Sequence, residues 1–159
     1  MTASGAPATG CGIMLYNGCK DFTTRDVLVQ GNTFQGCLIG VWSEAQGGQS
    51  TRRLVVQNNF FVGQYTAAPP GAPNGQATHS GHGVGLIRTI QGVITGNTFY
   101  NIGTFEAGVP GKTSTIDAIM ISGDAGGEST QYVRIADNVI LDDRGQRCQN
   151  GVWFVRPDQ

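Results

Sequence analysis

One unit occurs four times, and it decides what this chain can fold into. Val27-Leu28-Val29-Gln30-Gly31-Asn32-Thr33-Phe34 returns as Leu54-Val55-Val56-Gln57-Asn58-Asn59-Phe60-Phe61. It returns again as Gly92-Val93-Ile94-Thr95-Gly96-Asn97-Thr98-Phe99 and as Val133-Arg134-Ile135-Ala136-Asp137-Asn138-Val139-Ile140. A repeat of this length implies one structural unit used several times. Three residues before the shared Asn are Val29, Val56, Ile94 and Ile135, and five before are Val27, Leu54, Gly92 and Val133. Two after it are Phe34, Phe61, Phe99 and Ile140. Apolar positions two apart are strand periodicity, so both earlier columns face one core. The Asn breaks the alternation, which predicts a strand, a tight corner and a second short strand. Asn tolerates left-handed backbone geometry, and its amide can bond nearby backbone. Stacked copies would put Asn32, Asn59, Asn97 and Asn138 one over another as a structural ladder.

A second motif alternates with the first. Gly12-Ile13-Met14-Leu15, Gly40-Val41-Trp42-Ser43, Gly83-Val84-Gly85-Leu86, Ala118-Ile119-Met120-Ile121 and Gly151-Val152-Trp153-Phe154 each open on a small residue followed by a β-branched one. Each circuit of chain therefore holds three short strands: the Gly-Val strand, the one before the Asn and the one after it. The interval between Gly-Val strands varies, being 28, 43, 35 and 33 residues. A solenoid absorbs such variation as loops while its strands keep register. The reading is all-β: a right-handed parallel β-helix solenoid of about four to five circuits.

The chain resembles the pectate-lyase-like and phage-tailspike-like family of that fold over roughly residues 11 to 155. The resemblance is specific for fold and implies no one activity, since lyases, hydrolases, tailspikes and non-enzymatic proteins share the architecture. Residues 1–10 read as a lead-in or docking arm, 11–155 as one solenoid domain and 156–159 as a tail. Polar excursions at 63–80 and 103–115 leave from one corner and would flank the Gly-Val sheet as the walls of a groove. No window carries a helical apolar stripe.

Composition narrows the partners. A formal net charge of -1 gives no reason to expect nucleic acid. No run reaches the ~18 apolar residues of a membrane span, and residues 1–10 do not read as a signal peptide. No cofactor is implied. Cys11, Cys19, Cys37 and Cys148 lack metal-ligand spacing. Buried free thiols are the plain reading; if a disulfide forms, Cys11 and Cys37 are the pair that circuit position favours. Asp124, Glu128, Asp142 and Asp143 fall on different corners, so no metal site is expected, and Asp142-Asp143 reads as a solvated turn.

If Ile13, Val41, Val84, Ile119 and Val152 point inward, then Met14, Trp42, Gly85, Met120 and Trp153 point out. So apolar an outer column suggests loop cover, a subunit contact or a sugar-stacking platform. Candidate chemistry centres on Ser80-Gly81-His82-Gly83, which resembles the histidine motif of polygalacturonases. That resemblance implies His82 as a site histidine beside aspartates from adjoining circuits. The preceding Gly-Val strand, Leu38 to Glu44, has no Asp, and the downstream Arg-x-Lys element is missing. His82 and Asp117 do share a column on successive circuits, ~4.8 Å apart in backbone. They read either as an acid/base dyad with Glu44 and His79 as helpers, or as a polar ladder at the corner. The expectation is a non-catalytic structural or attachment protein of a phage virion or extracellular assembly, located there as a homotrimer contacting other virion proteins. The alternative is a polysaccharide-active lyase or glycoside hydrolase module, or a glycan-binding fragment.

Overall fold

The structure is a computed structural model, and it describes residues 11–17, 23–35, 37, 39–45, 49–63, 82–102, 117–123, 129–141, 143 and 150–155. The lead-in, the tail, the polar excursions apart from Gly63, and Cys19, Cys148, His79, Asp124, Glu128 and Asp142 lie outside the described residues.

The strands are β1 (Cys11–Asn17), β2 (Arg25–Gln30), β3 (Thr33–Gln35), β4 (Ile39–Ala45), β5 (Thr51–Gln57), β6 (Phe60–Val62) and β7 (Val84–Ile87). They continue as β8 (Thr89–Ile90), β9 (Val93–Thr95), β10 (Thr98–Tyr100), β11 (Asp117–Ser122), β12 (Arg134–Ala136), β13 (Val139–Leu141) and β14 (Asn150–Val155). Among the described residues there is no helix. The strands form three parallel sheets, ordered β1-β4-β7-β11-β14, β2-β5-β9-β12 and β3-β6-β10-β13, with β8 pairing β5. Within each sheet the order follows the chain. The chain visits each sheet in turn and comes back one layer further on, which is the arrangement of a β-solenoid and not of a closed barrel.

The expected columns are the observed registers. Ile13, Val41, Val84, Ile119 and Val152 pair in succession. So do Val29, Val56, Ile94 and Ile135, and Phe34, Phe61, Phe99 and Ile140. Inner layers bury these side chains completely: Val41, Val56, Val84, Ile94, Phe99 and Ile119 are all 0% exposed. Phe34 lies 4.8 Å from Phe61, and Phe61 4.8 Å from Phe99, with rings within 10° of parallel. That distance is the layer spacing itself, so the stacking costs no distortion. Each pair adds about 0.5–1.5 kcal/mol beyond the burial of the rings.

The Asn column is a continuous hydrogen-bonded ladder. Asn32, Asn59 and Asn97 each donate from backbone N and from Nδ2 to Oδ1 of the next Asn, at 3.0–3.1 Å. Nδ2 of Asn59, Asn97 and Asn138 also donates back to the carbonyls of Val29, Val56 and Ile94, at 2.9 Å each. One amide thereby ties three layers together. The left-handed geometry, however, sits one residue earlier than expected: Gly31, Asn58, Gly96 and Asp137 have φ of 68°, 53°, 63° and 55°. That bend turns the chain and leaves the following Asn free to aim its amide along the stack.

The small residue opening each Gly-Val strand also has a partner. A Cβ at Gly12, Gly40 or Gly83 would stand 2.5, 2.5 or 2.4 Å from the ring of Phe34, Phe61 or Phe99. Where the small residue is Ala118, the side chain two after the Asn in that circuit is Ile140 rather than Phe. A second left-handed column runs through Asp26, Arg53, Gln91 and Tyr132, with φ of 58°, 55°, 61° and 55°. There Arg53 forms a two-pronged ion pair with Asp26, its second prong 2.8 Å long.

Candidate functional site

The outer column of the Gly-Val sheet keeps the expected register, Met14, Trp42, Gly85, Met120 and Trp153 in neighbouring strands. A Cβ at Gly85 would lie 2.3 Å from atoms of the Trp42 ring, so the indole rests directly on that glycine. Trp42 Nε1 donates to Glu44 Oε2 at 2.9 Å, which pins the ring. Met120 is 6% exposed while Met14 is 52% exposed, and Trp42 and Trp153 are half-buried. Of the four apolar contact candidates, only Met14 presents most of its surface. The glycine that interrupted the outward column is the seat of the indole, and a glycine beside a Trp on the next circuit was the available signal.

Four predicted residues form one chain of contacts. The His82 imidazole lies 6.2 Å from the Trp42 ring, at 26°. Its Nδ1 is 3.7 Å from Asp117 Oδ2, too long for a hydrogen bond. Glu44 joins the group through the indole, whose N–H donates to its carboxylate. The Asp117 side chain is 0% exposed and that of His82 17%. Burial pushes the His82 pKa below its ordinary value, against the opposing pull of the Asp117 carboxylate and backbone. His82 Nδ1 is buried with no hydrogen-bond partner among the described residues.

His82 also lines a cleft with Phe34, Cys37, Gly40, Phe61, Val62, Gly83 and Ile102. Its free volume is about 10 Å³, enough for the centre of one water molecule and far below a sugar. A general acid/base must reach a substrate atom at hydrogen-bond distance. The Asp117 carboxylate has no surface with which to do so, and the imidazole has little. The imidazole stands against the indole on one side and the carboxylate on the other.

The remaining candidates sit apart. Cys11 and Cys37 are half-buried free thiols. Burial raises both pKa values, and for Cys11 the neighbouring Cys37 adds to the shift. Asp143 is exposed but committed: it accepts from the Tyr100 hydroxyl, and its N–H donates to Asn101 Oδ1 at 3.0 Å. Among the described residues, no three His, Cys, Asp or Glu side chains group as metal ligands. No helix among them is long and apolar enough to cross a membrane. Among the described residues, an apolar surface that the repeat did not single out is the outside of the sheet after the Asn, where Phe60, Val139 and Leu141 are 41%, 48% and 49% exposed. Compared with known proteins, the chain matches no family model, no curated protein and no solved structure.

Proposed function

We propose that this chain is a non-catalytic structural or attachment protein of a phage virion or extracellular assembly. In this reading the solenoid is a right-handed parallel β-helix of the pectate-lyase-like and tailspike-like kind, acting as a homotrimer. The observation that carries it is what the polar and aromatic groups do. The Asn amides, the Phe rings and the Trp42–His82–Asp117 group all bind one layer to the next, with Asp117 wholly buried. A stack so tied from layer to layer suits a particle component. Such a component also needs contact surface, and Met14, Tyr16, Leu28 and Phe60 are exposed at 52%, 49%, 58% and 41%. Light scattering on the purified chain tests the oligomer, with three times the chain mass expected and Met14→Asp reducing it. A monodisperse monomer at micromolar concentration counts against the reading.

The second reading is a polysaccharide-active module, favoured by the approach of His82 to Asp117. Its test is a screen of acidic polysaccharides for new reducing ends and unsaturated products. Product that disappears in His82→Ala would displace the structural reading.

A further inference from the structure

Two of the cysteines share a corner of the solenoid. Cys11 opens β1 and pairs with Ile39 of β4 in the next layer. Cys37 stands two residues before Ile39. The chain from 11 to 37 is therefore one nearly complete circuit through β1, β2 and β3, and Cys37 arrives almost over the residue that began it. Two residues of chain reach at most ~6.6 Å, and one layer rises ~4.8 Å. Cys37 has not yet finished that rise. Its Cα therefore lies about 5–8 Å from that of Cys11, a range that takes in most of the window of about 4.4–6.8 Å over which a disulfide closes.

The surroundings of the two residues also meet. Cys37 is five residues after Asn32, as Ile102 is five after Asn97. Ile102 is 5% exposed, and Cys37 packs against the same core, so position 37 faces inward at this corner. Next to Cys11, a Cβ at Gly12 would lie 2.5 Å from the Phe34 ring and 2.7 Å from the Gly40 carbonyl. Phe34 and Gly40 line one cleft with Cys37. Cys37 Sγ lies 3.9 Å from the Gln35 carbonyl, a weak contact that a rotation about χ1 gives up. On later circuits the positions stacked on Cys11 are Ile39, His82 and Asp117, so among the described residues this pairing belongs to one circuit alone.

We propose that Cys11 and Cys37 are a redox-sensitive pair, free when reduced, as in this structure, and joined on oxidation into a disulfide that closes the β1–β2–β3 circuit as a covalent ring. The oxidant is a low-molecular-weight disulfide such as oxidised glutathione. One cysteine loses its proton and attacks a glutathione sulfur, which forms a mixed disulfide and releases one glutathione. The second cysteine, deprotonated in turn, attacks the protein sulfur of that mixed disulfide. The Cys11–Cys37 bond forms and the second glutathione leaves. The two thiols give up two electrons and two protons, and the glutathione disulfide takes them. The bond fastens the corner between β3 and β4, which the Asn ladder does not reach.

This inference does not rest on the trimer reading, because it concerns the fold of a single chain. Mass spectrometry of the full chain, equilibrated in glutathione buffers with and without urea, tests it. Oxidation is expected to remove about 2 Da and to join Cys11 to Cys37. In the native chain the bond should withstand a buffer at least about tenfold more reducing than in urea, because the fold holds the two sulfurs together. The oxidised chain should also unfold at higher urea than the reduced one. Cys19→Ser with Cys148→Ser keeps all of this, whereas Cys11→Ser or Cys37→Ser abolishes it. Three results overturn the proposal: native thiols that stay free in a buffer that oxidises the urea-unfolded chain, a bond from either residue to Cys19 or Cys148 instead, or an oxidised chain whose urea midpoint is no higher than that of the reduced chain.

Discussion

Asn97 is the member of the ladder whose loss reaches furthest. Its Oδ1 accepts from Asn59 N and Nδ2, both at 3.0 Å, and its Nδ2 donates to the Val56 carbonyl at 2.9 Å and Asn138 Oδ1 at 3.0 Å. Asn97 is 0% exposed and Asn59 2%. Asn97→Ala leaves two Asn59 donors in the interior without their acceptor. An orphaned buried polar group costs about 1–3 kcal/mol, so the pair accounts for about 2–6 kcal/mol, and about 4 kcal/mol is the expected loss. Asn32→Ala is the control. Asn32 is exposed and, among the described residues, its side chain only donates, to Asn59 Oδ1 at 3.1 Å and the Gln30 carbonyl at 3.0 Å. Water replaces both contacts, and the expected loss is about 0.5–1 kcal/mol. Urea unfolding of the two variants and the parent gives both values, provided the slope with denaturant stays constant. Equal costs at the two positions, or a loss below about 1 kcal/mol for Asn97→Ala, would refute the layer-bridging role.

Gly83→Ala places a methyl 2.4 Å from the Phe99 ring and 2.7 Å from the Ala118 carbonyl, so it is expected to destabilise by about 1–3 kcal/mol. Combined with Phe99→Ile, imitating the Ala118–Ile140 circuit, it should cost less than the sum of the two single changes in a denaturation cycle. His82 supplies a pH dependence. Its folded pKa lies below its unfolded value, so the unfolded chain binds more protons as pH falls through and below about 6.5. Its contribution is fully present above that pH and is lost on acidification, and His82→Gln should flatten this part of a stability-against-pH curve. Tyr132 is 79% exposed with φ of 55°. Tyr132→Gly relieves a left-handed strain of about 1–2 kcal/mol against a glycine entropy cost of about 0.5–1 kcal/mol. A modest rise in the urea midpoint is expected.

The columns were legible because a strand turns every second side chain to the same face, so Val29, Val56 and Ile94 had to share a core once their repeat was seen. The Asn ladder followed from the same alignment, as did the outward Met14–Trp153 register. Other features needed atoms in space. That Gly31, Asn58, Gly96 and Asp137 carry the bend was partly visible, since Gly, Asn and Asp are the residues that adopt it most readily. The column of Asp26, Arg53, Gln91 and Tyr132 carried no such mark, because those four share no backbone preference. The match of glycine to Phe and Ala118 to Ile140 was present in the chain but becomes meaningful only when the two sheets face each other. The His82–Asp117 approach was foreseen from shared register. The placing of the His82 ring against Trp42 was not, because that depends on which way an indole folds over the next strand.

The most direct test of the account is proton NMR on the isotopically labelled chain, reading contacts among the asparagine side-chain amides and the backbone amides that follow the left-handed bends. The account predicts cross-peaks linking Asn32 to Asn59, Asn59 to Asn97 and Asn97 to Asn138, with parallel-strand contacts on either side. Asparagine amides that show only contacts within their own repeat, or strand contacts of antiparallel type, would contradict it.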